Sequence, residues 1–109
     1  MQFILRTPNI HLEDREKEYI ETKVMHLAKL DHRVADESSQ MHIDVQNSDI
    51  KTTDHKILLH GTLHVPLDHL HAEASGVNVE EAVDLFVEKM EKQIQRYKAK
   101  VHSRSRREA

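Results

Sequence analysis

Apolar residues along the chain change their spacing repeatedly, and each spacing predicts an element. Gln2 to Arg6 is a short β-prone run. Thr7-Pro8-Asn9 ends it, because proline has no ladder donor and disfavours helix at the residue before it. From Asp14 onward, Tyr19, Ile20, Val24, Leu27 and Leu30 keep to one helical face, with acidic residues in the first turn where the helix dipole favours them, so a first helix is predicted to about residue 31. Ala35 to Gln40 reads as a polar connection. Met41, Ile43 and Val45 then alternate with His42, Asp44 and Gln46, the period of a half-buried strand, and Asn47 to Asp54 reads as a polar loop. Ile57, Leu59, Leu63 and Val65 set one face of a third strand. Pro66-Leu67-Asp68 turns it, and Leu70, Ala72 and Ala74 set one face of a fourth, making a hairpin.

Ser75-Gly76 breaks the pattern, and Asn78 followed by Glu81 is an N-cap with an acidic third position. Val83, Phe86, Met90, Ile94, Tyr97 and Val101 then step by three or four for about six helical turns without glycine or proline. The order is therefore β-α-β-β-β-α. It predicts one α+β domain over residues 1–102, a four-stranded sheet with two helices packed on one face, and a flexible basic tail over 103–109.

Composition narrows what such a domain can do. Of 109 residues, 38% are hydrophobic and four are aromatic (Phe3, Tyr19, Phe86, Tyr97), so the core must be mostly aliphatic. The absence of cysteine excludes disulfides, thiolate metal sites and cysteine nucleophiles. No stretch approaches the roughly 20 apolar residues of a membrane span, and no secretory leader is visible, so a soluble cytoplasmic protein is expected.

The net charge of −3 hides a division. Residues 1–85 carry 8 Lys/Arg against 16 Asp/Glu, whereas residues 86–109 carry 8 against 3, so a basic element of +5 is attached to a body of −8. On a helical wheel Lys89, Lys92, Arg96 and Lys100 fall within about 80° of one another and roughly 110° from the apolar centre. That row flanks the core and is expected to share a groove with Lys23, Lys29 and Arg33 of the first helix and the segment after it. Arg104, Arg106 and Arg107 extend the positive run. Cations in a row follow phosphates without reading sequence, which suits structured RNA.

Ala82-Val83-Asp84, followed by Lys89-Met90-Glu91-Lys92-Gln93-Ile94-Gln95-Arg96-Tyr97-Lys98, resembles the "AID…KLerQLrKyK" signature of ribosome hibernation promoting factors, also called ribosome-associated inhibitors. Asn9, Lys23, Leu27 and Leu70-His71-Ala72-Glu73-Ala74 also fall at the family's spacing, and the resemblance runs over about residues 2–101. It departs at Val79-Glu80-Glu81, where relatives commonly have an aromatic before the signature, and at Glu13, where many carry a capping threonine. The resemblance implies a domain similar in outline to double-stranded RNA-binding domains. It also implies binding to the small ribosomal subunit and its rRNA in the mRNA/tRNA decoding channel, with translation inhibited under stress or in stationary phase. By position it assigns Lys23, Lys89, Lys92, Gln93, Arg96 and Lys98 to RNA; charge geometry adds Lys29, Arg33, Lys100 and the three tail arginines. The long members carry a C-terminal dimerisation domain not seen here, so the short class and a monomer when free are expected.

Ten histidines remain. The strand pattern puts His42, His60, His64, His69 and His71 on the sheet face opposite the helices, with Asp44 and Glu73. A polar open surface is the expected role, and without a fixed geometry no metal or cofactor is assigned. Histidine protonation would raise the charge and strengthen attraction to rRNA at lower pH. Catalysis is not expected: with Gly61 and Gly76 the only glycines there is no phosphate loop, and the carboxylates are scattered. The rival readings are a general structured-RNA binder and a His-rich metal- or pH-responsive interaction module.

Overall fold

The computed structural model describes residues 1–48 and 56–108, with side chains through His102. In chain order the elements are β1 (Gln2–Arg6), α1 (Asp14–Met25), a 3₁₀ turn (His26–Lys29), α2 (His32–Ala35), β2 (Gln40–Asn47), β3 (Ile57–Val65), β4 (Asp68–Gly76) and α3 (Val79–Glu108). Of the expected polar loop at 47–54, Asn47 ends β2, and residues 49–54, like the side chains of Arg104, Arg106 and Arg107, lie outside the described residues.

The strands form one sheet in the order β1-β2-β3-β4. β1 runs parallel to β2, with Phe3 opposite Met41, while β2–β3 and β3–β4 are antiparallel. A parallel pair needs a crossover, and α1 to α2 supply it. Alternation sends Met41, Ile43, Val45, Leu59, Leu63, Leu70, Ala72 and Ala74 to one face, where they join Ile20, Val24, Phe86, Met90 and Ile94 in one buried core. Each fully buried Val, Leu, Ile, Phe or Met among them contributes about 1.5–3 kcal/mol. The fold class and element order are those that the sequence predicts.

The first helix differs from its expected length. Its α-helical part stops at Met25, and the chain continues as a 3₁₀ turn in which Leu30 N donates to Leu27 O at 3.2 Å. Asp31 is extended (φ −156°, ψ 138°) and its carboxylate accepts from Arg33 N at 2.8 Å, so it ends one helix and caps the next. The break allows both Leu27 and Val34 to reach the core.

Side-chain bonds fix the joints. Asn9 and Asn47 clamp the β1–α1 connection to the end of β2: Asn47 N donates to Asn9 Oδ1 at 2.8 Å, and Asn47 Nδ2 donates to Asn9 O at 3.0 Å. At the β3–β4 turn, Leu67 adopts φ 71°, which after Pro66 is the pattern of a type II turn, and Tyr97 Oη donates to Pro66 O at 2.9 Å. Gly61 lies directly under Phe86: a Cβ there would stand 2.6 Å from Cζ of that ring.

Candidate nucleic-acid interface

The basic row rides on α3, so the start and facing of that helix decide where the cations go. Asn78 Oδ1 accepts from Glu81 N at 2.8 Å, the cap that the sequence predicts. Val79, Ala82, Val83, Phe86, Met90, Ile94 and Tyr97 are buried against the sheet. The helical backbone continues to Glu108, beyond the last position fixed by the apolar repeat.

Toward α1 the helix presents Asp84. Tyr19 Oη donates to Asp84 Oδ1 at 2.6 Å, and Lys23 Nζ lies 3.7 Å from the same oxygen and 5.5 Å from the Tyr19 ring centroid. The hydrogen bond to Asp84, then burial and the charges of Asp84 and Glu80, push the Tyr19 pKa up to about 12. Farther along this flank is a cleft of about 490 Å³ lined by Asp31, His32, Arg33, Gln95, Lys98, Ala99 and His102. Arg33 is partly engaged within it, its Nη1 lying 3.4 Å from Oδ2 of the buried Asp31.

The opposite flank faces β4. Lys89 Nζ donates to the Glu73 carbonyl at 2.7 Å, and Lys100 Nζ stands 3.6 Å from Asp68 Oδ2. Gln93 is half-buried. Away from the sheet, Lys92 and Arg96 are exposed and share a shallow depression of about 480 Å³ with Glu88, Glu91 and Gln95. Lys29 is exposed on the 3₁₀ turn, in a depression formed with Glu21, Thr22, Met25 and His26. Among the described residues no hydrogen bond or ion pair engages Lys29, Lys92, Arg96 or Lys98, whereas Lys23, Arg33, Lys89 and Lys100 are tethered.

The expected shared groove does not form as drawn from the wheel. Lys89 and Lys100 sit on the flank away from α1, and the α3 cation that meets the α2 region is Lys98. A wheel gives an angle from the core but not which flank has a neighbour; the sheet order decides that. Asp84, Tyr19 and Asp31 are positioning groups that charge counting passed over. Asp84 was visible in the signature, while the role of Asp31 depends on a break that periodicity does not reveal.

The other sheet face carries the histidines as expected. His42 and His64 rings are 5.1 Å apart, His64 and His69 4.7 Å, and His60 and His71 5.9 Å. Burial, then the nearby His69 and His42, hold His64 below its ordinary pKa. Among the described residues no helix is long and apolar enough to cross a membrane.

Comparison with known proteins places this arrangement. The N-terminal domain of Protein Y from Thermus thermophilus, a crystal structure, superposes with a TM-score of 0.73 at 17% identity, covering 89% of this chain and 99% of that one. A ribosomal subunit interface protein from Coxiella burnetii superposes with a TM-score of 0.73 at 23% identity, covering 91% and 99%. Comparison with curated proteins finds no match. The model of the family described as "Sigma 54 modulation protein / S30EA ribosomal protein" matches residues 3–102, which takes in α1, β2, β3 and β4 whole, β1 from Phe3 and α3 as far as His102. The signature on α3 and the fold that presents it agree with that match, and the chain belongs to the sigma 54 modulation protein / S30EA family, that of the hibernation promoting factors.

Proposed function

We propose that this protein is a ribosome hibernation factor of the cytoplasm. It binds the small ribosomal subunit, sets α3 against rRNA in the mRNA/tRNA decoding channel and inhibits translation under stress or in stationary phase. The domain of residues 1–102 makes the contact as a monomer without cofactor or catalysis, and the segment 103–109 adds basic reach through Arg104, Arg106 and Arg107. Lys92 and Arg96 form the centre, Lys29, Lys98 and Gln93 extend it, and Lys23, Arg33, Lys89 and Lys100 act from tethered positions.

One observation carries this reading: a family-signature helix holds exposed cations that the fold does not use. A cation without a protein partner is available to displace counterions from phosphate. Sedimentation through a sucrose gradient tests it. At low salt the protein should co-migrate with small subunits and leave them as salt rises. The Lys92→Glu/Arg96→Glu variant should stay at the top of the gradient with an unchanged circular dichroism spectrum. Wild-type protein at the top at low salt would overturn the proposal. Equal affinity for an unrelated folded RNA would turn it into general structured-RNA binding.

A further inference from the structure

The uncovered sheet face is ordered by strand register into rows. Reading from β2 to β4 they are Gln40–His64–His69, His42–Thr62–His71 and Asp44–His60–Glu73. Two of these rows have partners for their imidazoles. His71 Nδ1 is 3.1 Å from Thr62 Oγ1 and its Nε2 is 3.6 Å from Glu73 Oε1, while His60 Nε2 is 3.5 Å from Asp44 Oδ2. The remaining row is different in kind. His64 and His69 are directly opposed across β3 and β4, and their Nδ1 atoms face each other at 2.7 Å with the rings 78° apart.

Two ring nitrogens in that geometry can share one proton, as N–H···N. The same pair of lone pairs can instead hold a metal cation. Imidazole nitrogens bind Zn²⁺ at about 2.0–2.1 Å, so two ligands of a tetrahedron stand roughly 3.3 Å apart. Reaching that separation from 2.7 Å requires a small rotation of side chains at the surface. His42, whose Nε2 now lies 3.1 Å from Gln40 Oε1, is near enough to swing in as a third ligand. Among the described residues no three metal-ligating side chains already converge, so water completes the pair.

We propose that His64 and His69 form a cross-strand chelate for a divalent late-transition cation of the Zn²⁺, Ni²⁺ or Cu²⁺ type, with His42 as the accessory ligand. Donor chemistry favours these ions over Mg²⁺ or Ca²⁺, which prefer oxygen. The chelate joins β3 to β4 beside the turn whose Pro66 carbonyl Tyr97 holds. It lies on the face opposite the helices and does not rest on the ribosome reading.

Titration calorimetry with ZnCl₂ on the full chain, first freed of metal by chelator and dialysis, tests the site. One equivalent should bind saturably, and Ca²⁺ should not compete. His64→Ala and His69→Ala should each weaken binding by about tenfold or more. His60→Ala, two rows away, should retain it. Nitrogen-15 spectra of the imidazoles should show the Nδ1 signals of His64 and His69 moving together as Zn²⁺ is added. If an alanine variant fails to fold by circular dichroism, His64→Gln and His69→Gln replace it. Binding without saturation, or unchanged in the folded double variant, would overturn the proposal, as would loss in His60→Ala equal to that in His64→Ala.

Discussion

Lys89 and Lys92 are three residues apart on one helix, yet the structure gives them different relations to an RNA partner. Lys92 is exposed with no partner among the described residues, whereas Lys89 Nζ is bonded to Glu73 O at 2.7 Å. A phosphate contact by Lys89 must first break a charge-assisted bond, worth about 1 kcal/mol once its exposure is allowed for. Lys92 and Arg96 have no such cost. Each phosphate they neutralise contributes about 0.7–0.9 to the slope of log affinity against log salt. Over a rise from about 50 to 200 mM salt, that is roughly a threefold difference per cation. The Lys92→Gln/Arg96→Gln variant should therefore lose about 1.4–1.8 of the slope, and Lys89→Gln less than half as much as either single change. Fluorescence anisotropy of labelled protein with purified small subunits, at several salt concentrations, measures these slopes. Equal losses for Lys89→Gln and Lys92→Gln would refute the idea that tethering decides the contribution. An unchanged slope in the double variant would mean that the outward face of α3 does not meet RNA.

Three further outcomes concern the scaffold. Gly61→Ala should destabilise by about 1–2 kcal/mol in urea unfolding, overpacking under Phe86 outweighing the strand benefit of alanine; adding Phe86→Leu should reduce that cost, and strictly additive effects would contradict the contact. Leu67→Gly relieves the positive φ and should gain roughly 0.5 kcal/mol, so a lower melting midpoint would show that the turn is not strained. Tyr19 and Tyr97 are both held above the ordinary tyrosine pKa, so an alkaline absorbance titration of the folded protein should show neither ionising near pH 10, and Asp84→Asn should bring Tyr19 down. Because the folded pKa of Tyr19 is the higher one, its contribution to stability is complete below pH 10 and is lost as pH rises through about 12.

The strands and α3 were legible because burial on one face imposes a period on the residues themselves. Met41, Ile43 and Val45, and Leu70, Ala72 and Ala74, announce their facing without knowledge of any neighbour. The Asn78 cap is equally local. Two features escaped because they depend on relations between elements. Asp31 breaks the first helix by a conformation that its composition does not reveal, and the flank of α3 that meets α1 follows from sheet order. The histidine face shows both sides of this boundary. Alternation placed the five rings together, but only strand register sets His64 against His69 and separates that pair from the hydrogen-bonded His71.

The bond from Lys89 also bears on self-association. Among the described residues β4 is an edge strand, with no neighbour beyond it in the sheet. Edge strands offer unpaired backbone groups on which another chain can add, the first step of aggregation by strand pairing. Lys89 places an ammonium group on one of the β4 carbonyls and so brings charge to the margin where an incoming strand would seat. The lysine that the sequence assigns to recognition thus also brings charge to that margin. Its removal is expected to reduce colloidal solubility at high protein concentration before it reduces affinity for RNA.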